Sequence, residues 1–335
     1  MPSNLPPIPD NIIDITAPQL LGTLFNWGLY GILSVQIYIY YLNFPDDKTF
    51  SKYLVYGTFL FETVQTALST ADLYYWFASG FGNMLHLDSV YVSPWDTPFL
   101  CGIIAAVVQC FFAYRIWKLR TTYWWLCVLI VLTALVQTAG AFGTALRGHI
   151  LHHYHRFHEN VLFPASFHVW LLGDTISDIL IAGSMLHIFY KSKKEDHLLT
   201  NNILAKLVRL IVEPNALTAS MALLSFILYA GFPGSNYFIC TTLIMGKLYS
   251  NTLLVTFNNR IALRKVMVEG ASAHTQGLTG HAVSTFRAQG SDTTESTFGN
   301  SYHIGEDQFH SGIKPQDIEN IEIEVRRNIK IHNTV

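Results

Sequence analysis

Apolar residues run along this chain in seven long, nearly unbroken stretches, near residues 17–42, 53–79, 94–117, 123–147, 163–190, 203–230 and 236–257. A helix needs ~20 apolar residues to cross ~30 Å of hydrocarbon, and each stretch is long enough. A transmembrane barrel would instead show short segments of alternating polarity. Only helices and closed barrels satisfy their backbone polar groups in lipid. The pattern therefore predicts an all-α membrane protein, a seven-transmembrane helix bundle whose first partner is the lipid bilayer.

Basic residues set the orientation. The leader before the first stretch has no Lys or Arg, and neither do the 80–93 and 231–235 loops. The 148–162 loop has Arg156, with Arg147 just before it. The other side carries Lys48, Lys52, Arg115, Lys118, Arg120, Lys191, Lys193, Lys194, Arg260, Arg264 and Lys265. The expected layout is an extracellular leader over 1–16, a transmembrane domain over 17–262 and a cytosolic tail over 263–335. Trp27, Trp76, Trp95, Trp124, Trp125 and Trp170 fall in the outer or inner thirds of their spans, as interfacial anchors do. The leader is proline-rich and lacks a basic start, so no cleavable signal is expected and the first span serves as the targeting signal. The plasma membrane is the expected location.

After Arg264 the composition shifts. Residues 266–316 are rich in Gly, Ser, Thr, His and Gln. Such a stretch buries too little surface to offset its chain entropy, so disorder is expected. Its hydroxyls, Ser291, Thr293 and Thr294 among them, offer sites to a kinase, and the tail offers contacts to a cytosolic partner. Ile321, Ile323, Val325, Ile329 and Ile331 alternate with polar residues, so a short strand is expected near 318–331.

With a formal net charge of −2, the chain gives no reason to expect nucleic-acid binding. Cys101, Cys110, Cys127 and Cys240 all lie inside predicted spans, which disfavours a loop-stapling disulfide. No Asn-x-Ser/Thr acceptor occurs, and no motif specifies a cofactor.

Ionisable side chains inside a bilayer are costly and usually face the bundle interior. Here they are Glu62, Asp174, Asp178, Glu213 and Lys247, with Gln65 and Asn251 one turn from Glu62 and Lys247. At 1.5 Å per residue, Lys247 lies roughly 16 Å from the outer start of its span, near the bilayer middle. Arg209 shares a helix face with Glu213, and Pro214 should kink that helix. Lys247 pairs with a carboxylate and pins its helix, or this network lines a ligand pocket or proton path. A retinal Schiff base at Lys247 would need a counter-ion close by, and the third span offers only Asp96 at its outer end.

The loop after the fourth span holds His149, His152, His153, His155 and His158. On a helix, His149 would meet His152 or His153, and His155 would meet His158. Imidazoles so spaced bind zinc or copper and titrate in mildly acid medium. The plainer reading is an exposed, amphipathic extension of the helix.

Several runs resemble a family of uncharacterised fungal seven-span membrane proteins, best known from basidiomycetes, with a domain of unknown function in the C-terminal half. They are Gly31–Tyr38, Gly80–Asn83, Gln109–Trp117, Asp178–Ala182 with Ser184–Met185, Leu207–Leu210, Asn215–Thr218 and Lys247–Leu254. Family members often have Thr where Pro214 stands and Ser where Thr252 stands, and the His-rich loop is outside the shared pattern. The resemblance implies a seven-span fold and no established activity. Two function classes lead, ahead of an intramembrane hydrolase, for which the bundle offers only scattered His and carboxylate candidates. The first is a receptor-like or sensory membrane protein without enzymatic activity and with an unknown ligand. The second is a transporter using the intramembrane carboxylates and Lys247 as a coupling relay. The third span ends in Ala113-Tyr-Arg-Ile, and the seventh lacks an Asn-Pro-x-x-Tyr run, so G-protein coupling has no sequence support.

Overall fold

A computed structural model describes residues 10–157, 161–193, 198–232 and 235–261. The tail beyond residue 261, its expected strand near 318–331, the start of the leader and His158 lie outside the described residues. A first compact unit ends at Asn258.

Seven long helices occur among the described residues, all in the first unit: α1 (Ile12–Asn43), α2 (Thr49–Tyr74), α3 (Leu100–Leu119), α4 (Trp124–Leu151), α5 (Leu162–Lys193), α6 (Leu198–Gly231) and α7 (Tyr237–Asn258). Among the described residues, five segments are long and apolar enough to cross a membrane: Ile12–Asn43, Trp95–Leu119, Thr121–Leu151, Leu162–Ile188 and Tyr237–Asn258. This fits an integral membrane protein. α2 falls short because Glu62, Gln65 and its many Thr, Ser and Tyr residues lower its hydropathy. α6 contributes a shorter apolar stretch, Asn215–Gly231. The α6 helix runs through Pro214 without a break in its assignment.

The polarity of α2 is inverted relative to a water-soluble helix. Glu62, Gln65, Thr66, Ser69 and Asp72 are buried, whereas Leu60 and Phe61 are 63% and 41% exposed. Leu132, Leu135 and Val136 on α4 and Ile179 on α5 are likewise exposed. Water penalises such a surface and hydrocarbon does not.

α7 is the most enclosed helix and packs against α1, α2, α3 and α6. Small residues bring neighbours close. A Cβ built on Gly22 would lie 2.9 Å from Cys240 Cα, and one on Gly140 would lie 2.7 Å from the Trp170 backbone nitrogen. Such approaches are how membrane helices gain packing without a hydrophobic drive between them. Two apolar clusters result. One gathers Trp76, Phe163, Phe167, Trp170 and Phe238, and the other Leu33, Tyr40, Val55, Ile181, Tyr249 and Phe257. On α1, α2, α5 and α7 a polar layer falls between them.

Candidate functional site

Lys247 sits in that layer with no exposed surface, and neither does Glu62 have any. An ammonium has three donors, and all three are met. They go to Glu62 Oε2, to the Glu62 carbonyl at 3.0 Å and to Gln65 Oε1 at 2.6 Å. Ser250 Oγ donates to the other carboxylate oxygen, Glu62 Oε1. Asn26 Nδ2 bridges Gln65 Oε1 at 2.9 Å and the Leu243 carbonyl at 2.7 Å. The Tyr30 ring lies 5.6 Å from the ammonium, within cation–π range. Asn251 ties α7 to α1 instead, donating to Leu29 O and accepting from Gln36 Nε2 at 3.0 Å. With its protons so engaged, Lys247 has no open position for a carbonyl ligand.

The structure places Asp174 and Asp178 in a second cluster, served by neutral donors. Gln109 Nε2 reaches Asp174 Oδ1 at 3.1 Å and Asp178 Oδ1 at 3.4 Å. The Tyr249 hydroxyl donates to Asp178 Oδ2 at 2.7 Å, and Thr218 Oγ1 donates to the same oxygen. Gln137 Nε2 donates to Gln109 Oε1 at 2.7 Å. Asp174 Oδ2 is buried with no hydrogen-bond partner among the described residues.

Glu213 does not belong with these residues: it is exposed. The inward face of α6 is set by Asn215, Thr218, Ala222 and Ser225, and at about 100° per residue position 213 falls off that face. Sequence reasoning missed several members. Asp72, 1% exposed, accepts from the Val92 N–H at 3.0 Å and so holds the 80–93 loop. Asp96, which the sequence offered only as a distant counter-ion, is buried and accepts from Thr97 Oγ1. Asp72 lies inside the predicted 53–79 span, so the rule that singled out Glu62 reaches it as well. Gln109 and Gln137 are uncharged, but a mid-span amide also needs partners, and that signal was readable.

The His-rich loop is not a helix over its length. α4 stops at Leu151, and His152 turns the chain with φ 61°. His149 and His152 stack edge to face, ring centroids 5.5 Å apart. His153 and His155 swing away to Asp88, which helical spacing gave no reason to include: His155 Nδ1 lies 2.5 Å and His153 Nδ1 3.1 Å from Asp88 Oδ2.

At the same end of the bundle a narrow, mostly apolar cleft opens among the segment that precedes α3, the starts of α5 and α7 and the end of α4. Its walls include Val90, Pro94, Tyr154, Phe163, Trp170 and Thr242, and its empty volume, open mouth included, is about 410 Å³. Burial pushes the Tyr154 phenol well above its ordinary range, so it keeps its proton and donates to Ser93 Oγ at 3.1 Å. Neither Lys247, Glu62, Asp174 nor Asp178 lines this cleft.

Residues 174–262, from Asp174 on α5 past the end of α7, match the model of a family of unknown function (DUF6534). Asp178, Thr218, Lys247 and Tyr249 fall within the match, and their partners Glu62, Gln65 and Gln109 precede it. No curated protein and no solved structure matches the chain.

Proposed function

We propose that the chain is a seven-span plasma-membrane protein, N-terminus outside and C-terminus cytosolic. Its role is receptor-like, and a small, largely apolar ligand occupies the outer cleft. Basic-residue asymmetry supports the orientation. The inverted polarity of α2 supports counting it as a span, and exposed Leu217, Leu223, Leu224 and Ile227 do the same for α6. The observation that carries the receptor-like reading is the separation of roles. The central lysine is closed on its own carboxylate, whereas the concave, aromatic-lined surface lies at the outer end, where ligand pockets form between bundle helices. The tail, with its run of hydroxyls, is then the regulatory segment, open to a kinase or a cytosolic partner.

Two measurements test this. Tags at residues 1 and 335 should be reached from opposite sides of sealed cells, the first from outside; a cytosolic first tag overturns the orientation. For the cleft, a trifluoromethyl-phenyldiazirine photoprobe should label peptides carrying Tyr154–Trp170 and Phe238–Thr242. Thr242→Phe or Val90→Trp, which fill the cleft, should abolish those adducts while leaving adducts at lipid-facing Leu132 and Leu135. Adducts unchanged by both substitutions overturn the cleft as a binding site.

A transporter reading has one observation in its favour: the Asp174–Asp178 pair is served by hydroxyls and an amide, an arrangement that suits a carried proton. Proton uptake into reconstituted vesicles that Asp178→Asn abolishes would favour it over the receptor-like reading.

A further inference from the structure

We propose that Asp88, His153 and His155 form a site for a divalent transition-metal ion, zinc foremost, that clips the two outer loops together beside the cleft. One ligand atom from each of the three lies within 4.8 Å of the other two. The side chains are 29%, 32% and 56% exposed, so an ion reaches them from solvent. Two imidazoles and one carboxylate, with no thiolate, suit zinc and its borderline neighbours, whereas calcium and magnesium prefer an all-oxygen shell.

The backbone fixes this convergence independently of the side chains. The left-handed turn at His152 ends α4 and sends the chain back over the 80–93 loop. Ser89 and His153 then form an antiparallel bridge, and Val90 N donates to His152 O at 3.1 Å. His155 N donates to Asp88 Oδ1 at 3.0 Å, which leaves Oδ2 facing both rings. Zinc holds N and O ligands at about 2.0–2.2 Å, so tetrahedral donors sit roughly 3.4 Å apart. The present spacings of 2.5 and 3.1 Å open to that by side-chain shifts of under about 1 Å. Water completes the fourth position.

Val90 lies two residues beyond Asp88, and Tyr154 lies between the two histidines. Both line the cleft. A bound ion therefore fixes part of the cleft wall, and the site holds whether or not the cleft takes a ligand.

The test is a zinc titration of the full-length, detergent-purified protein. The affinity tag is removed and the metal stripped, and a chromogenic chelator competes for zinc. Cobalt substitution adds a coordination-sensitive visible spectrum. Wild type should bind one ion, with Co²⁺ bands of low-symmetry, four-coordinate type. Asp88→Asn, His153→Ala and His155→Ala should each weaken binding by about tenfold or more. His149→Ala should bind as wild type. If Asp88→Asn does not fold, the half-exposed His155 still carries the comparison. No binding by wild type at millimolar zinc, wild-type affinity in the three variants, or an equal loss in His149→Ala overturns the site.

Discussion

Lys247→Leu should sharply lower the melting temperature of the detergent-purified protein, and adding Glu62→Gln should restore part of the loss. Removing the lysine strands a carboxylate with no exposed surface, leaving it only Ser250 Oγ as a donor among the described residues. Breaking a buried ion pair by deleting one partner costs about 3–5 kcal/mol, much of it the penalty of the uncompensated charge. Glu62→Gln removes that charge and keeps the side-chain volume, so the double variant loses hydrogen bonds but strands no ion. Glu62→Gln alone leaves an ammonium facing a carbonyl and two side-chain amides, and should also destabilise. The double variant should thus be more stable than the two single losses sum to. Depth alone makes Asp178→Asn an equal candidate for rescue. The structure removes that equivalence, because Tyr249, Thr218 and Gln109 serve Asp178 and Lys247 does not. Asp178→Asn should give no rescue. Thermal melts of the single and double variants decide it. Strict additivity between positions 62 and 247 would remove the ion pair as the pin of α7.

The helices were legible because their signal is local. Long apolar runs need no tertiary information, and the depth of Lys247, Glu62 and Gln65 follows from counting residues along each helix. Which carboxylate meets the lysine depends on which helices neighbour α7, and that is a property of close packing at Gly22 and its like. Glu213 shows the limit. Its position in the sequence resembles that of Glu62, but the face it occupies is fixed by how α6 rolls against α5 and α7, and it lies outward. The histidine loop shows a second limit. Helical spacing paired His155 with His158, but one left-handed residue at His152 ended the helix and brought in Asp88, 67 positions from His155 in the sequence. No periodicity encodes that meeting. The cleft was not legible at all, because it is assembled from loop segments and helix ends that meet only in the fold.

Gly140→Leu should abolish the folded protein, where Gly31→Leu should leave it intact. Both glycines lie in long apolar helices, and composition does not distinguish them. At Gly140 an added Cβ meets backbone on α5, 2.7 Å from Trp170 N and 3.0 Å from Ser166 O, with Val169 Cγ1 at 2.9 Å. Backbone atoms of a packed helix do not rotate aside, so α4 and α5 must separate. Overpacking a core that can adjust side chains costs about 1–3 kcal/mol, and a contact against main chain exceeds that. Separation would also draw Gln137 away from Gln109 and loosen the donor that holds Asp174 and Asp178. At Gly31 nothing lies within 4 Å of the new atom, so a leucine there adds to an already apolar outer surface, which lipid solvates as readily as it does neighbouring Ile32. Size-exclusion profiles after detergent extraction give the readout. Gly140→Leu should elute as aggregate, and Gly31→Leu as a single peak at the wild-type position. A monodisperse Gly140→Leu variant with wild-type stability would mean that α4 and α5 do not approach this closely. An aggregated Gly31→Leu variant would place that face of α1 against protein instead of lipid.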